Sequence, residues 1–138
     1  MTGLVVDAWP LYALADRDDA HHRQSLELLG THPGPLIVPT LVITEVAYLV
    51  GSRLGARAEV LFAQDLAEGV YSVDPVHAGD WLRIAELVAA YRDFPLGMVD
   101  ASVIACAERR QLTEIATLDR RPFGAVRPRH RSSFNLLP

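Results

Sequence analysis

Short apolar runs in this chain are separated by helix-length segments and never by hairpin turns, and that alternation restricts it to crossover-connected, mainly parallel sheets. Leu4-Val5-Val6 is a β-prone run that stops at Asp7, and Pro10 suits the first turn of a helix through Asp16. Asp18 or Asp19 caps a second helix, with Leu26, Leu28 and Leu29 on its apolar side and Gly30 at its end. Leu36-Ile37-Val38 is the next strand candidate. Thr40 then opens an apolar helix from Leu41 to Leu54, closed by Gly55, and another helix runs from Ala56 to Glu68 before Gly69. Val70 to Val73 reads as a third strand, and Asp74-Pro75 turns the chain into a helix from Ala78 to Tyr91. There Trp81, Ile84, Ala85 and Val88 recur at helical spacing and are expected in the core. After Phe94-Pro95-Leu96-Gly97, Asp100 begins a helix ending near Arg110, and Ile115 to Leu118 forms a fourth strand that runs into Asp119. Pro122, Pro128 and Pro138 leave room beyond it only for short pieces such as Ala125-Val126 and Phe134 to Leu137. The expected fold class is α/β, one sheet between two helical layers, and 138 residues suffice for a single domain over 1–138 with a genuine core.

Composition removes several functions. All 13 basic residues are Arg, so the chain lacks the Lys of a phosphate-binding P-loop, of a pyridoxal Schiff base and of a phospho-receiver domain. None of the nine Gly forms a G-x-G pair, which removes the dinucleotide fingerprint. The lone Cys106, expected to be a small core residue, supplies neither an internal disulfide nor a thiolate zinc site, and the paired His21-His22 reads as polar helix surface. No stretch approaches the ~20 apolar residues that span a bilayer, and no basic flank precedes the N-terminal apolar run. A reducing, cytoplasmic location is therefore expected. Charge is uneven. Residues 1–108 carry 6 Arg against 15 acids, a balance of −9, whereas residues 109–138 carry 7 Arg against Glu114 and Asp119, a balance of +5.

Ligands of open parallel sheets sit beyond the carboxyl ends of the strands. Asp7 and Asp119 each follow a predicted strand there, and Asp100 opens a helix at the same edge. Glu45 is flanked at helical spacing by Leu41, Val42, Tyr48 and Leu49, with no Arg within one turn, so its carboxylate emerges through apolar surface. Carboxylates converging on one edge repel unless a cation joins them. Hard oxygen donors select Mg²⁺ or Mn²⁺ over zinc, and such an open site suits water attack on a phosphodiester.

Val5-Val6-Asp7, Thr44-Glu45-Val46, Val99-Asp100-Ala101-Ser102 and Ala116-Thr117-Leu118-Asp119-Arg120-Arg121 together resemble the PIN-domain nucleases, and among them the VapC toxins of bacterial VapBC toxin–antitoxin pairs. The resemblance extends to Arg127-Pro128-Arg129 and Phe134, and the four acids are separated by 38, 55 and 19 residues. It implies a three-layer α/β/α domain with Mg²⁺- or Mn²⁺-dependent endoribonuclease activity, leaving 5′-phosphate and 3′-hydroxyl ends. Asp7, Glu45, Asp100 and Asp119 would be the catalytic acids, Asp7 and Asp100 the principal metal ligands, and Thr117 a supporting hydroxyl. Family members usually follow the first Asp with Thr-Ser. Here Ala8-Trp9 stands in that place, and a hydroxyl that would orient a carboxylate or water is missing.

Rival readings fail on single positions. A haloacid-dehalogenase-type phosphatase needs a second Asp where this chain has Trp9, and no Ser lies in a G-x-S-x-G elbow. The remaining alternative is a non-catalytic PIN-like domain that binds RNA or protein. For an active enzyme, Arg120 and Arg121, directly after Asp119, are the expected RNA-phosphate contacts. The helix from Leu41 to Leu54 carries more apolar surface than one sheet-facing side requires, so a homodimer through it is expected. By the resemblance, a VapB-type antitoxin is the second partner. This chain has no evident DNA-binding motif, so promoter binding would fall to that antitoxin.

Overall fold

The central strand sets the architecture. In the computed structural model, which describes residues 2–138, β1 (Leu4–Val6) is fully buried along its length, as a parallel strand covered on both faces must be. It pairs with β2 (Leu36–Pro39) on one side and β4 (Glu114–Ala116) on the other. β3 (Ser72–Asp74) and β5 (Asn135–Leu137) close the edges, giving an all-parallel sheet of order β3-β2-β1-β4-β5.

Right-handed crossovers then fix the layers. The steps from β1 to β2 to β3 run in one direction, placing α1 (Ala8–Ala15), α2 (His22–Thr31), α3 (Thr40–Leu54) and α4 (Ala56–Ala67) on one face. The return from β3 to β4 and on to β5 places α5 (Ala78–Ala90), α6 (Met98–Arg110) and α7 (Arg120–Ala125) on the other. This is the expected α/β/α sandwich. Small side chains let α6 lie close to the sheet: Ala101, Ser102, Ala105, Cys106 and Ala107 are all buried, and burial pushes the Cys106 thiol up.

Several boundaries differ from expectation. The second helix begins at His22, because the carboxylates of Asp16 and Asp19 accept the N–H groups of Asp18 and His21 in tight turns instead of capping a helix. The third strand is Ser72–Asp74 rather than Val70–Val73, which leaves Val70 and Val73 exposed on the edge. The fourth strand stops at Ala116, so Asp119 stands beyond a short turn as the N-cap of α7, and Ala125 ends that helix. On α5 the buried residues are Asp80, Ile84 and Leu87. Trp81 is 46% exposed and Ala85 is exposed, while Asp80 faces inward and pairs with Arg109, so a charged position takes part of the buried side of the helix. Among the described residues, no helix is long and apolar enough to cross a membrane.

Candidate active site

Sheet register builds the site. Val5 and Val6 pair with Ile115 and Ala116, and the N–H of Asp7 continues the ladder by donating to the Ala116 carbonyl at 2.9 Å. Asp7 and Thr117 therefore leave neighbouring strands side by side at the carboxyl edge, where the sheet reverses its winding about β1. The Thr117 hydroxyl donates to Asp7 Oδ2 at 3.0 Å and accepts the N–H of Asp119 at 3.1 Å. That hydroxyl ties the turn after β4 to the acid after β1.

Glu45 reaches the same edge from the second turn of α3, and Asp100 from the first turn of α6, where its carboxylate accepts the Gly97 N–H at 3.3 Å. Asp100 thus sits inside the helix start, with Gly97 as the cap residue. Asp119 is held from its other side by Arg121, whose side chain donates to both carboxylate oxygens at 3.1 Å.

The electrostatics separate these acids. Burial, reinforced by the charges of Asp100 and Glu45, pushes the Asp7 carboxyl up to about 7, despite hydrogen bonds from the Ala8 N–H and Thr117 that favour the anion. Glu45 is raised by burial and by Asp100, and Asp100 by burial and by Asp119. Asp119 is lowered by its bond from Arg121. Three of the four acids therefore hold a proton more tightly than an exposed carboxyl does, and among the described residues no Arg side chain bonds to them. The donors are all oxygen, the set preferred by a hard divalent cation. Among the described residues, no three His, Cys, Asp or Glu groups stand close enough to grip one ion as the side chains lie. Asp100 is turned onto Gly97 and Asp119 onto Arg121.

The PIN domain family model matches residues 4–127, a span that contains Asp7, Glu45, Asp100 and Asp119. The chain belongs to the PIN-domain family. Ribonuclease VapC26 of Mycobacterium tuberculosis is 31% identical to it over 135 residues, covering 98% of this chain and all of the relative. The fold is also that of VapC20 of Mycobacterium tuberculosis, a sarcin–ricin loop cleaving toxin, with a TM-score of 0.82 and 24% identity over 88% of this chain and 94% of that one. VapBC2 from Rickettsia felis, solved bound to a DNA fragment from its promoter, shares the fold with a TM-score of 0.71 and 14% identity over 99% of this chain and 100% of that one.

In this PIN domain most of the C-terminal Arg residues are already engaged. Arg109 bridges Asp74 and Asp80, and Arg110 donates to Asp74 at 2.8 Å. Burial alone would raise the Asp74 carboxyl, but bonds from Arg109 and Arg110 hold it below the usual carboxylate range. Arg120 donates to the main-chain oxygens of Leu136 and Pro138, and Arg121 to Asp119. Arg129 pairs with Glu86 at 2.7 Å. The buried Asp74–Arg109–Asp80 bridge escapes a reading of the sequence, since its members are 35 and 29 residues apart and share no motif.

The apolar surplus of α3 is largely absorbed within the chain. Val42, Val46, Leu49 and Val50 are buried, while Leu41, Ile43 and Ala47 are half-buried. Tyr48, at 73% exposure, is the residue of this set that remains outside.

Proposed function

We propose that this chain is a Mg²⁺- or Mn²⁺-dependent endoribonuclease and the toxin of a VapBC-type pair. The observation that carries the reading is the buried Asp7 carboxylate, placed against Asp100 and Glu45 without a compensating cation. Asp7 and Asp100 are the residues assigned to hold the ion, and the oxygen-only donor set supports a hard metal. Held there, Mg²⁺ or Mn²⁺ would supply positive charge to offset that of the phosphate and would ease loss of a proton from the attacking water at neutral pH.

The remaining steps belong to the chain. Glu45, whose proton affinity is raised, accepts a proton from the attacking water, and Asp119 with Thr117 orients that water along the line of attack. Attack on phosphorus forms the new P–O bond and breaks the bond to the 3′ oxygen, which takes a proton from solvent as it leaves, while Glu45 returns its proton to solvent. The products carry 5′-phosphate and 3′-hydroxyl ends. Arg120 and Arg121 are assigned to RNA phosphates, which requires their present partners to be given up.

Similarity to Ribonuclease VapC26 and to the fold of a VapBC assembly supports a VapB-type antitoxin as partner. We assign promoter contacts to that antitoxin and none to this chain, and we assign a homodimer contact to the α3 region around Tyr48. The deciding experiment incubates purified protein with bulk RNA in Mg²⁺, in Mn²⁺ and in EDTA, beside Asp7→Asn. Metal-dependent cleavage lost in Asp7→Asn supports the enzyme. Tight RNA binding without cleavage in any metal replaces it with a non-catalytic binding domain.

A further inference from the structure

A hollow of about 240 Å³ adjoins the acidic edge, walled by Trp9, Asp19, His21, Leu118 and Asp119. Asp119 belongs to both the hollow and the carboxylate group, and Trp9 follows Asp7 by two residues in the first turn of α1. The indole is only half-buried, yet it is held firmly. Tyr12 meets it edge-on, with ring centroids 5.8 Å apart and planes at 78°, and the Arg53 guanidinium lies over it at 5.3 Å. Residues of α1 and α3 thereby fix an aromatic plane beside the reacting edge without filling the space next to it.

The chemistry of the walls selects what enters. Asp19 and Asp119 repel a phosphate, so the hollow does not suit the charged part of a nucleotide. An indole and Leu118 instead offer apolar surface to a flat, neutral ring. The carboxylate of Asp19, whose Oδ1 already accepts the His21 N–H at 2.8 Å, and the exposed ring of His21 supply a polar rim for that ring's N–H and oxygen edges. We propose that Trp9 is the stacking platform of a nucleobase subsite, receiving a base next to the scissile phosphate of a single-stranded RNA segment. This rests on the ribonuclease reading above and adds to it a residue that positions substrate. Stacking tolerates any base, because every base presents a π-face, so the subsite demands a base and not a particular one.

The test uses the full chain with Trp81→Phe, which leaves Trp9 as the sole indole. RNA tetranucleotides with 2′-O-methyl groups, intact or abasic at each position in turn, are titrated in Ca²⁺ buffer while Trp9 emission is followed. The intact tetranucleotide should quench Trp9, and loss of the base at one position should weaken both quenching and binding by about fivefold or more. In parallel, Trp9→Ala should raise KM for RNA cleavage by about tenfold with little change in kcat, and Trp9→Tyr should restore it. Absent quenching, or equal response to intact and abasic strands at every position, overturns the subsite even if metal-dependent cleavage is present. Discrimination of intact from abasic strands by a protein that cleaves nothing keeps the subsite and removes the nuclease. The fluorescence arm retains Trp9, so it decides the question even if Trp9→Ala fails to fold.

Discussion

Thr117 and Asp7, 110 residues apart in sequence, share a 3.0 Å hydrogen bond across the β1–β4 pair, and this bond favours the anion of the most deeply buried acid in the site against the burial that raises its carboxyl. Removing the hydroxyl takes away one of the two contacts that favour the Asp7 anion and releases the turn that carries Asp119. Thr117→Val should therefore lower kcat by about tenfold or more at pH 7, as loss of a ligand-orienting partner commonly does. The acid limb of the pH–rate profile should move to higher pH, and Thr117→Ser should restore most of both.

Asp7 also makes the metal-free protein sensitive to base. Its carboxyl lies at about 7 in the fold against 3.8 as the ordinary value, so between those values the native state binds more protons than the unfolded chain. Stability from this group is intact below about pH 4, falls as pH rises through 7, and is lost above it, a total on the order of 4 kcal/mol. Urea unfolding in EDTA should show this slope, and Asp7→Asn should flatten it. Mg²⁺ should raise Tm more at pH 8 than at pH 5.5, since the ion competes with the proton.

Neutralising the other acids separates metal binding from proton transfer. Asp100→Asn should weaken Mn²⁺ binding in calorimetry and lower the rate at least about tenfold, equivalent to ~1.4 kcal/mol of barrier. Glu45→Gln should lower kcat by a similar factor while changing Mn²⁺ affinity less. Full activity in Asp100→Asn would remove that residue from the mechanism.

Arg121 offers a test of the RNA contacts. Arg121→Ala frees Asp119 from the side-chain bonds that lower its proton affinity, keeps the main-chain N–H bond, and deletes a guanidinium that is 75% exposed. RNA affinity should fall, and the apparent carboxylate titration in the pH–rate profile should rise, two effects that a purely structural side chain would not join. Unchanged affinity in Arg120→Ala and Arg121→Ala together would dismiss both as phosphate contacts.

The bridge from Arg109 governs the back of the sheet. Asp74 is 2% exposed and Asp80 11%, so Arg109→Met leaves buried carboxylate charge under-compensated and should destabilise the protein by about 3 kcal/mol in urea unfolding. Cleavage by the fraction that remains folded should be little changed.

What the sequence made legible follows from how each element is stabilised. β1 could be read from three residues because a strand covered on both faces must be apolar throughout, and the first polar residue after it, Asp7, marks the edge. α5 could not be read correctly by the same logic. Periodicity counts apolar side chains, and it assigned Trp81 and Ala85 to the core, whereas the buried position is Asp80, paid for by Arg109. Pairs formed in tertiary structure carry no local signature. For that reason the engagement of Arg109 and Arg110 with Asp74 is visible only in the fold, whereas the approach of Glu45 to Asp100 follows the convergence expected of the acids.

The pairing of those arginines bears on how the protein would meet a polyanion. From residue 109 onward, Arg109, Arg110, Arg120, Arg121 and Arg129 each hold an intramolecular acceptor through the guanidinium, leaving Arg127 and Arg131 without one among the described residues. A phosphate that reaches Arg121 displaces Asp119, whose freed carboxylate then stands beside the strand and retains a cation there. Each such contact is an exchange of one anion for another, so association should release fewer counterions than the count of Arg suggests, and log K against log salt should be shallower than about 0.7 units per contact, the value for a single strand. Bulk RNA would then gain little from long-range attraction, and selection would rest on the few strands that satisfy the edge at close range.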